Sequence, residues 1–284
     1  ALRLFLEQTS ALPQWPDVSR EACDGLMDEV LSPLIQDWAQ GPLGENAQTA
    51  ALGRRYVRIL RRAAWTFTRH ALDSGFQPRL FEVRFGYPDS LLPPVALGMP
   101  DGTEVLLRGV IDRVDVYEGE EGVYLRVVDY KSSPRKLEPT ALWWGLQLQL
   151  SLYLLAALGA KPGAEPAGMF YFHLDDPLAD VASGAQEAAE REIAKMLRLQ
   201  GIALSDVEIL QVMDRHGLGM PPMLNKDGTV SARATAMPLK AMHGLLRHGK
   251  EAAEKLAAAM RAGNISISPA RTGFLDACKY CPYP

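Results

Sequence analysis

The stretch Gly109-Val110-Ile111-Asp112-Arg113-Val114-Asp115, followed after a short gap by Tyr124-Leu125-Arg126-Val127-Val128-Asp129-Tyr130-Lys131, decides how the rest of the chain is read. β-Branched residues alternate through 108–117 and 123–130, and Glu118-Gly119-Glu120-Glu121-Gly122 joins the two runs, so a β-hairpin is predicted. A helix carrying Gln149 and Tyr153 follows. Asp112 and Asp129 then stand on neighbouring strands. An acid on an otherwise apolar strand costs free energy unless something cationic pairs with it. Two acids facing one point suit a hard cation with oxygen ligands, Mg2+ or Mn2+, completed by water. Lys131 follows Asp129 by two residues and leaves the same face of the sheet, which sets its ammonium beside the metal.

This donor set fits phosphoryl-ester chemistry. A metal polarises the phosphate and acidifies a water, while a lysine orients that water or stabilises developing negative charge. Gln149 and Tyr153 are four apart on a helix and share a face, from which both reach the lysine, the water or a phosphate. Taken singly the motifs have plainer readings: Asp112-Arg113-Asp115 as a surface ion-pair strand, and Asp129-Tyr130-Lys131 as an ordinary strand end. Taken in order and spacing they favour a site.

At these residues a resemblance becomes specific. Gly109 to Asp115, Asp129-Tyr130-Lys131-Ser132 and Gln149-Leu150-Ser151-Leu152-Tyr153 resemble the three motifs of the PD-(D/E)xK nucleases found in bacterial recombination helicase-nucleases of the AddAB/RecBCD kind. The C-terminal nuclease domain of the AddB-type subunit is the nearest match. The resemblance implies a restriction-endonuclease-like α/β core, a mixed central sheet flanked by helices, with additional helices at both ends. It implies metal binding by Asp112, Asp129 and the backbone carbonyl of Tyr130, and catalysis by Lys131 with Gln149 and Tyr153. It also makes Glu82 an active-site carboxylate; the alternative is an ion pair with Arg79 or Arg84. The implied activity is hydrolysis of DNA phosphodiester bonds, as an exonuclease fed single strands by a helicase partner in double-strand break repair and recombination. Two other classes compete with it: a catalytically incomplete DNA-binding or subunit-docking module of the same complex, and a small-molecule phosphodiesterase, which the open basic loop Ser132 to Lys136 disfavours.

The family also carries a [4Fe–4S] cluster on one upstream cysteine and three near the C-terminus. Here Cys278 and Cys281 supply two of those three, and Cys23 lacks the motif of the upstream one, so no intact cluster is expected in this chain. A Gly-x-x-x-His metal ligand of the family would fall upstream of Ala1. His70 is the nearest histidine, on a different helix.

The chain has 284 residues, long enough for one large core, and is 48% hydrophobic and 23% charged, as in ordinary globular proteins. It starts without Met and ends at Pro284, and reads as a fragment of something longer. The net charge of −4 disfavours broad coating of DNA, which needs clustered Lys and Arg, but leaves room for a basic groove. Arg54, Arg55, Arg58, Arg61, Arg62 and Arg69 form a cluster, and spacings of three and four put several of them on one helical face, either solvated or facing DNA or a partner. The absence of a long apolar run and of a signal-peptide layout predicts a cytoplasmic protein without a membrane anchor. No phosphate loop or dinucleotide fingerprint occurs, so ATP hydrolysis is not expected of this chain.

The segments fall in order as N-terminal helices over 1–76, a catalytic core over 77–175 and a C-terminal helical extension over 176–284, together one nuclease domain. Helices are predicted over 1–8, 19–39, 46–74, 138–158, 185–200 and 238–263. Strands are predicted around Glu82, over 95–98, 104–116, 123–130 and 167–174, mostly antiparallel up to Lys131. Segment 202–214 is ambiguous between helix and strand. Trp143 and Trp144 either pack in the core or stack on bases, with core favoured for at least one.

Overall fold

In the computed structural model, residues 1–41, 46–181, 185–269 and 278 are described. Three helices come first: α1 (Leu2–Thr9), α2 (Arg20–Gln40) and α3 (Ala47–Leu72). Ser19 caps α2 by accepting from the Ala22 amide at 3.2 Å, and Asn46 caps α3 by accepting from the amides of Gln48 and Thr49. The strands β1 (Gln77–Phe85), β2 (Val95–Gly98), β3 (Glu104–Leu107), β4 (Gly109–Gly119) and β5 (Gly122–Lys131) follow. Then come α4 (Pro139–Trp143), α5 (Gln149–Ala160), β6 (Ala164–His173), α6 (Gln186–Met196), β7 (Gln200–Leu204), α7 (Val207–Met213), β8 (Ala236–Met237) and α8 (Leu239–Arg261).

Six strands form one mixed sheet in the order β1-β4-β5-β6-β7-β8, and β2 pairs with β3 apart from it. The meander β1-β4-β5 is antiparallel, β6 runs parallel to β5 after the crossover through α4 and α5, and β7 is antiparallel to β6. β6 is central and buried along most of its length, as its unbroken apolar run implied. Each face of the sheet has its own core. On one, Phe67 of α3, Phe76, Val128, Phe170 and Phe172 pack with Leu6, Met27 and Leu31. On the other, Ile111, Val114, Val127 and Met169 pack with Leu150 and Leu154 of α5 and with Met242 and Leu246 of α8. Each such side chain, fully buried, contributes about 1.5–3 kcal/mol.

Three expected elements divide. The strand over 104–116 breaks at Arg108: β3 pairs with β2, and the chain joins β1 at Gly109, where a Cβ would come within 2.7 Å of the Phe85 ring. The helix over 138–158 stops at Trp143, because Gly145 takes φ +75°, and restarts at Gln149. The ambiguous segment gives both answers, strand β7 and then helix α7, so the preceding helix ends at Met196 rather than at Gly201. The segment beyond 175 therefore adds strands to the main sheet as well as helices.

Candidate active site

β4 and β5 bring Asp112, Asp129 and Lys131 to one end of the sheet, and the first turn of α5 lies over them. Lys131 Nζ lies 2.5 Å from Asp129 Oδ2 and donates to Gln149 Oε1 at 2.9 Å. Gln149 Nε2 donates to Asp129 Oδ1 at 3.0 Å and to the Tyr153 hydroxyl at 2.9 Å. Gln149 thus fixes acid, lysine and tyrosine at once. Asp112 Oδ2 accepts from the Tyr130 backbone amide at 2.6 Å, which ties it across to β5. The Tyr130 ring goes the other way, stacking on Phe67 with centroids 5.1 Å apart, so only the backbone of Tyr130 faces the site. Tyr153 meets Phe85 edge-on and Lys131 lies over the Tyr171 ring, giving the site an aromatic wall.

Asp129 is buried and Asp112 half-buried. Burial pushes the Asp112 carboxyl up to about 6, and the nearby charges of Asp129 and Glu82 push the same way. Burial also raises Asp129, against the pull of Lys131. Asp129 Oδ2 is held by the Lys131 ammonium alone. Among the described residues no group of three or more His, Cys, Asp or Glu side chains stands together as a metal cage. Two carboxylates whose charge is disfavoured by burial nevertheless fit a hard divalent cation, which would complete its shell with backbone carbonyl, water and substrate oxygen.

Glu82 lies on β1 between the register pairs Phe81–Arg113 and Val83–Ile111, across from Asp112. Its φ is +43°, a left-handed conformation costing a non-glycine residue about 1–2 kcal/mol. Its carboxylate is half exposed and pairs with neither Arg79 nor Arg84 but with Arg3 of α1, at 3.4 Å. Cys278 sits half-buried in a turn, and Cys281 lies outside the described residues. His70 is buried on the opposite face of the sheet, beside Arg113 and Arg126, and does not reach the site.

Arg113 and Asp115 are not surface residues. With Arg126 they form a buried triad: Asp115 lies 2.9 Å from Arg113 Nε and accepts from Arg126 Nε at 2.8 Å. The two guanidiniums lie over the rings of Phe67 and Phe76. The arginine face of α3 is largely paired within the molecule, Arg58 with Asp176, Arg61 with Asp28 and Arg62 with Glu190. A further polar knot has no signal in the sequence pattern. Asp73 accepts from the His216 and Leu218 amides and Asp214 from those of Gly219 and Met220, fastening loop 214–220 to the end of α3.

A mixed sheet with two acids and a lysine at one end of a hairpin, covered by a helix carrying glutamine, defines a nuclease of the PD-(D/E)xK kind. The chain belongs to the PD-(D/E)XK nuclease superfamily, whose family profile matches residues 2–284. Members generally use divalent metal ions. The chain is 37% identical over 278 residues to an ATP-dependent helicase/deoxyribonuclease subunit of Thermoanaerobacter sp. (strain X514), covering 95% of this chain and 24% of that protein. It is 36% identical to the protein of the same name from Moorella thermoacetica, covering 100% of this chain and 26% of the relative. The Alkaliphilus oremlandii protein of that name is 33% identical, with 95% and 24% covered. The chain thus spans about a quarter of the length of the curated relatives it matches. Among the described residues no helix is long and apolar enough to cross a membrane.

Proposed function

We propose that this chain is a Mg2+- or Mn2+-dependent deoxyribonuclease domain that hydrolyses phosphodiester bonds of DNA single strands. In this reading it is the nuclease part of a cytoplasmic helicase-nuclease complex, fed by a motor subunit during double-strand break repair and recombination. The relatives' names support that setting. The observation that carries the chemistry is the bonded set Asp129, Lys131, Gln149 and Tyr153, with Asp112 tied beside it.

Asp112, Asp129 and the Tyr130 carbonyl would hold the metal. When bound, a divalent ion would supply Lewis-acid chemistry, polarising the phosphate and acidifying a water. Lys131 orients that water and offsets charge developing on the phosphate oxygens. Gln149 keeps the lysine from folding wholly onto Asp129, and Tyr153 fixes the other end of the Gln149 amide. Glu82 brings a further carboxylate to the Asp112 side. The whole chain, from 1 to 284, acts as one domain.

The test is cleavage of end-labelled single-stranded DNA with Mg2+ or Mn2+, beside thermal unfolding with and without the ion. Metal-dependent cutting is expected, abolished in Asp129→Ala and Lys131→Ala. Mn2+ should raise the unfolding temperature of the unsubstituted chain and not that of Asp112→Asn, since a ligand bound only to the native state stabilises it. Full cleavage by Asp129→Ala would sink the assignment.

A further inference from the structure

Trp144 ends α4 with 66% of its surface exposed, and among the described residues no ring stacks on it. Trp143, 57% exposed, is backed by His248, whose ring lies parallel at 3.8 Å and whose Nε2 is 2.7 Å from the Trp143 carbonyl. The left-handed turn at Gly145 keeps the chain from continuing as one helix that would carry these indoles past the sheet.

Their position follows from how the segment is pinned. It leaves the site at Lys131 and returns at Gln149, and those two side chains bond each other at 2.9 Å. Between them the chain makes one closed excursion. Residues 132–136 are exposed, and Arg135 is near enough for its charge to act on Asp129 and Tyr171. The two limbs are laced together by Gln147, which donates to the Lys136 carbonyl at 3.2 Å and accepts from the Glu138 amide at 2.9 Å. One limb therefore presents cations and the other exposed indoles, and the two limbs begin and end at side chains that bond each other in the site.

We propose that this excursion is a single-strand platform: Arg135 and Lys136 take phosphates, and Trp144 stacks on an unpaired base beside the scissile bond. The inference rests on the nuclease reading above and adds to it the residue that selects unpaired DNA. Alternating anionic charge and a free π-face are what the two limbs complement, and a single strand offers both. In a duplex each base is already stacked on its neighbours, so Trp144 has no face to meet.

Binding is measured in the full 284-residue chain carrying Asp129→Asn, so that the probe stays whole. The probes are a labelled oligothymidylate of about 12 nucleotides and an abasic strand with the same phosphates. Trp144→Ala is expected to weaken oligothymidylate binding on the order of tenfold and to leave the abasic strand unchanged, with Trp144→Phe keeping most of the affinity. Arg135→Ala with Lys136→Ala should weaken both probes alike. Unchanged oligothymidylate binding by Trp144→Ala overturns the platform, and so does an equal loss on both probes. Cleavage by the unsubstituted chain is followed in parallel. Base-dependent binding through Trp144 without any cleavage sinks only the nuclease reading, whereas cleavage without a Trp144 effect sinks only the platform.

Discussion

Asp115→Ala should cost this protein about 3–5 kcal/mol of stability, although the residue touches nothing in the active site. The figure comes from what the substitution strands. Asp115 is fully buried and is the shared counter-ion of Arg113 and Arg126, themselves 1% and 2% exposed. Removing it leaves two guanidiniums in the apolar layer between the sheet and α3, with ring faces, the Tyr130 side chain and the Met213 carbonyl as their remaining compensation. Breaking a buried pair from one side has that cost because the other charge stays desolvated. Total stability of a domain is about 5–15 kcal/mol, so roughly a fifth or more of it should go. Urea unfolding followed by circular dichroism reads the change through the midpoint at constant slope. A loss under about 1 kcal/mol would refute the reasoning, because it would mean that water reaches both guanidiniums in the native state.

Two other predictions concern the site and the buried histidine. Gln149→Ala should slow cleavage on the order of a hundredfold with little change in unfolding temperature, since it removes hydrogen bonds to two charged partners, Lys131 and Asp129, at a half-exposed position; wild-type rates would show that lysine and acid are positioned without it. Burial, with Arg113 and Arg126, pulls His70 down to about 3, so the unfolded chain takes up a proton below about 6.5 that the folded chain refuses, and stability falls on acidification between those values by up to about 1.4 kcal/mol per pH unit. Asp214, raised by burial, works with the opposite sign, so the measurement is the difference in urea-unfolding free energy between the unsubstituted chain and His70→Leu across about pH 7 to 4, and a flat difference would count against a neutral buried imidazole.

The hairpin was legible because its two strands alternate strongly and its acids are out of place on apolar strands. The same pattern exposed Asp112, Asp129 and Lys131, and the helical spacing of Gln149 and Tyr153 put both on the covering turn. What stayed hidden depended on partners far away in sequence. Arg3 reaches Glu82 from α1, and the arginines of α3 meet Asp176 and Glu190 more than a hundred residues on. Spacing reveals a face but not what covers it. Arg126 was the missed signal for the triad: a cation between Leu125 and Val127 in the apolar middle of the strand needs a counter-ion, and the hairpin register sets Asp115 opposite it. The break after Trp143 is masked in the sequence because leucines and alanines continue the helical pattern, and Gly145 acts by its φ rather than by its polarity.

The two faces of β4 explain each other. Asp112 lies on the face of the proposed site, while Arg113 and Asp115 point to the α3 side, so a slip of one residue between β4 and β5 would exchange the proposed metal-binding carboxylate for a structural one. Apolar residues tolerate such a slip better than charges do, because Val and Leu supply both faces of this hairpin. The triad does not: Asp115 must meet Arg126, and in a shifted register Arg126 loses its counter-ion while Asp115 keeps only Arg113 of its own strand. Replacing all three together, Arg113→Met with Asp115→Leu and Arg126→Met, removes the desolvation cost and should leave stability equal or higher. If the triad's role is to fix register, that stable variant should lose cleavage and the Mn2+-induced rise in unfolding temperature, because Asp112 no longer stands reliably beside Tyr130. If instead it keeps both, the turn at Glu118 to Gly122 alone sets the register, and the buried charges are a cost this fold carries without return.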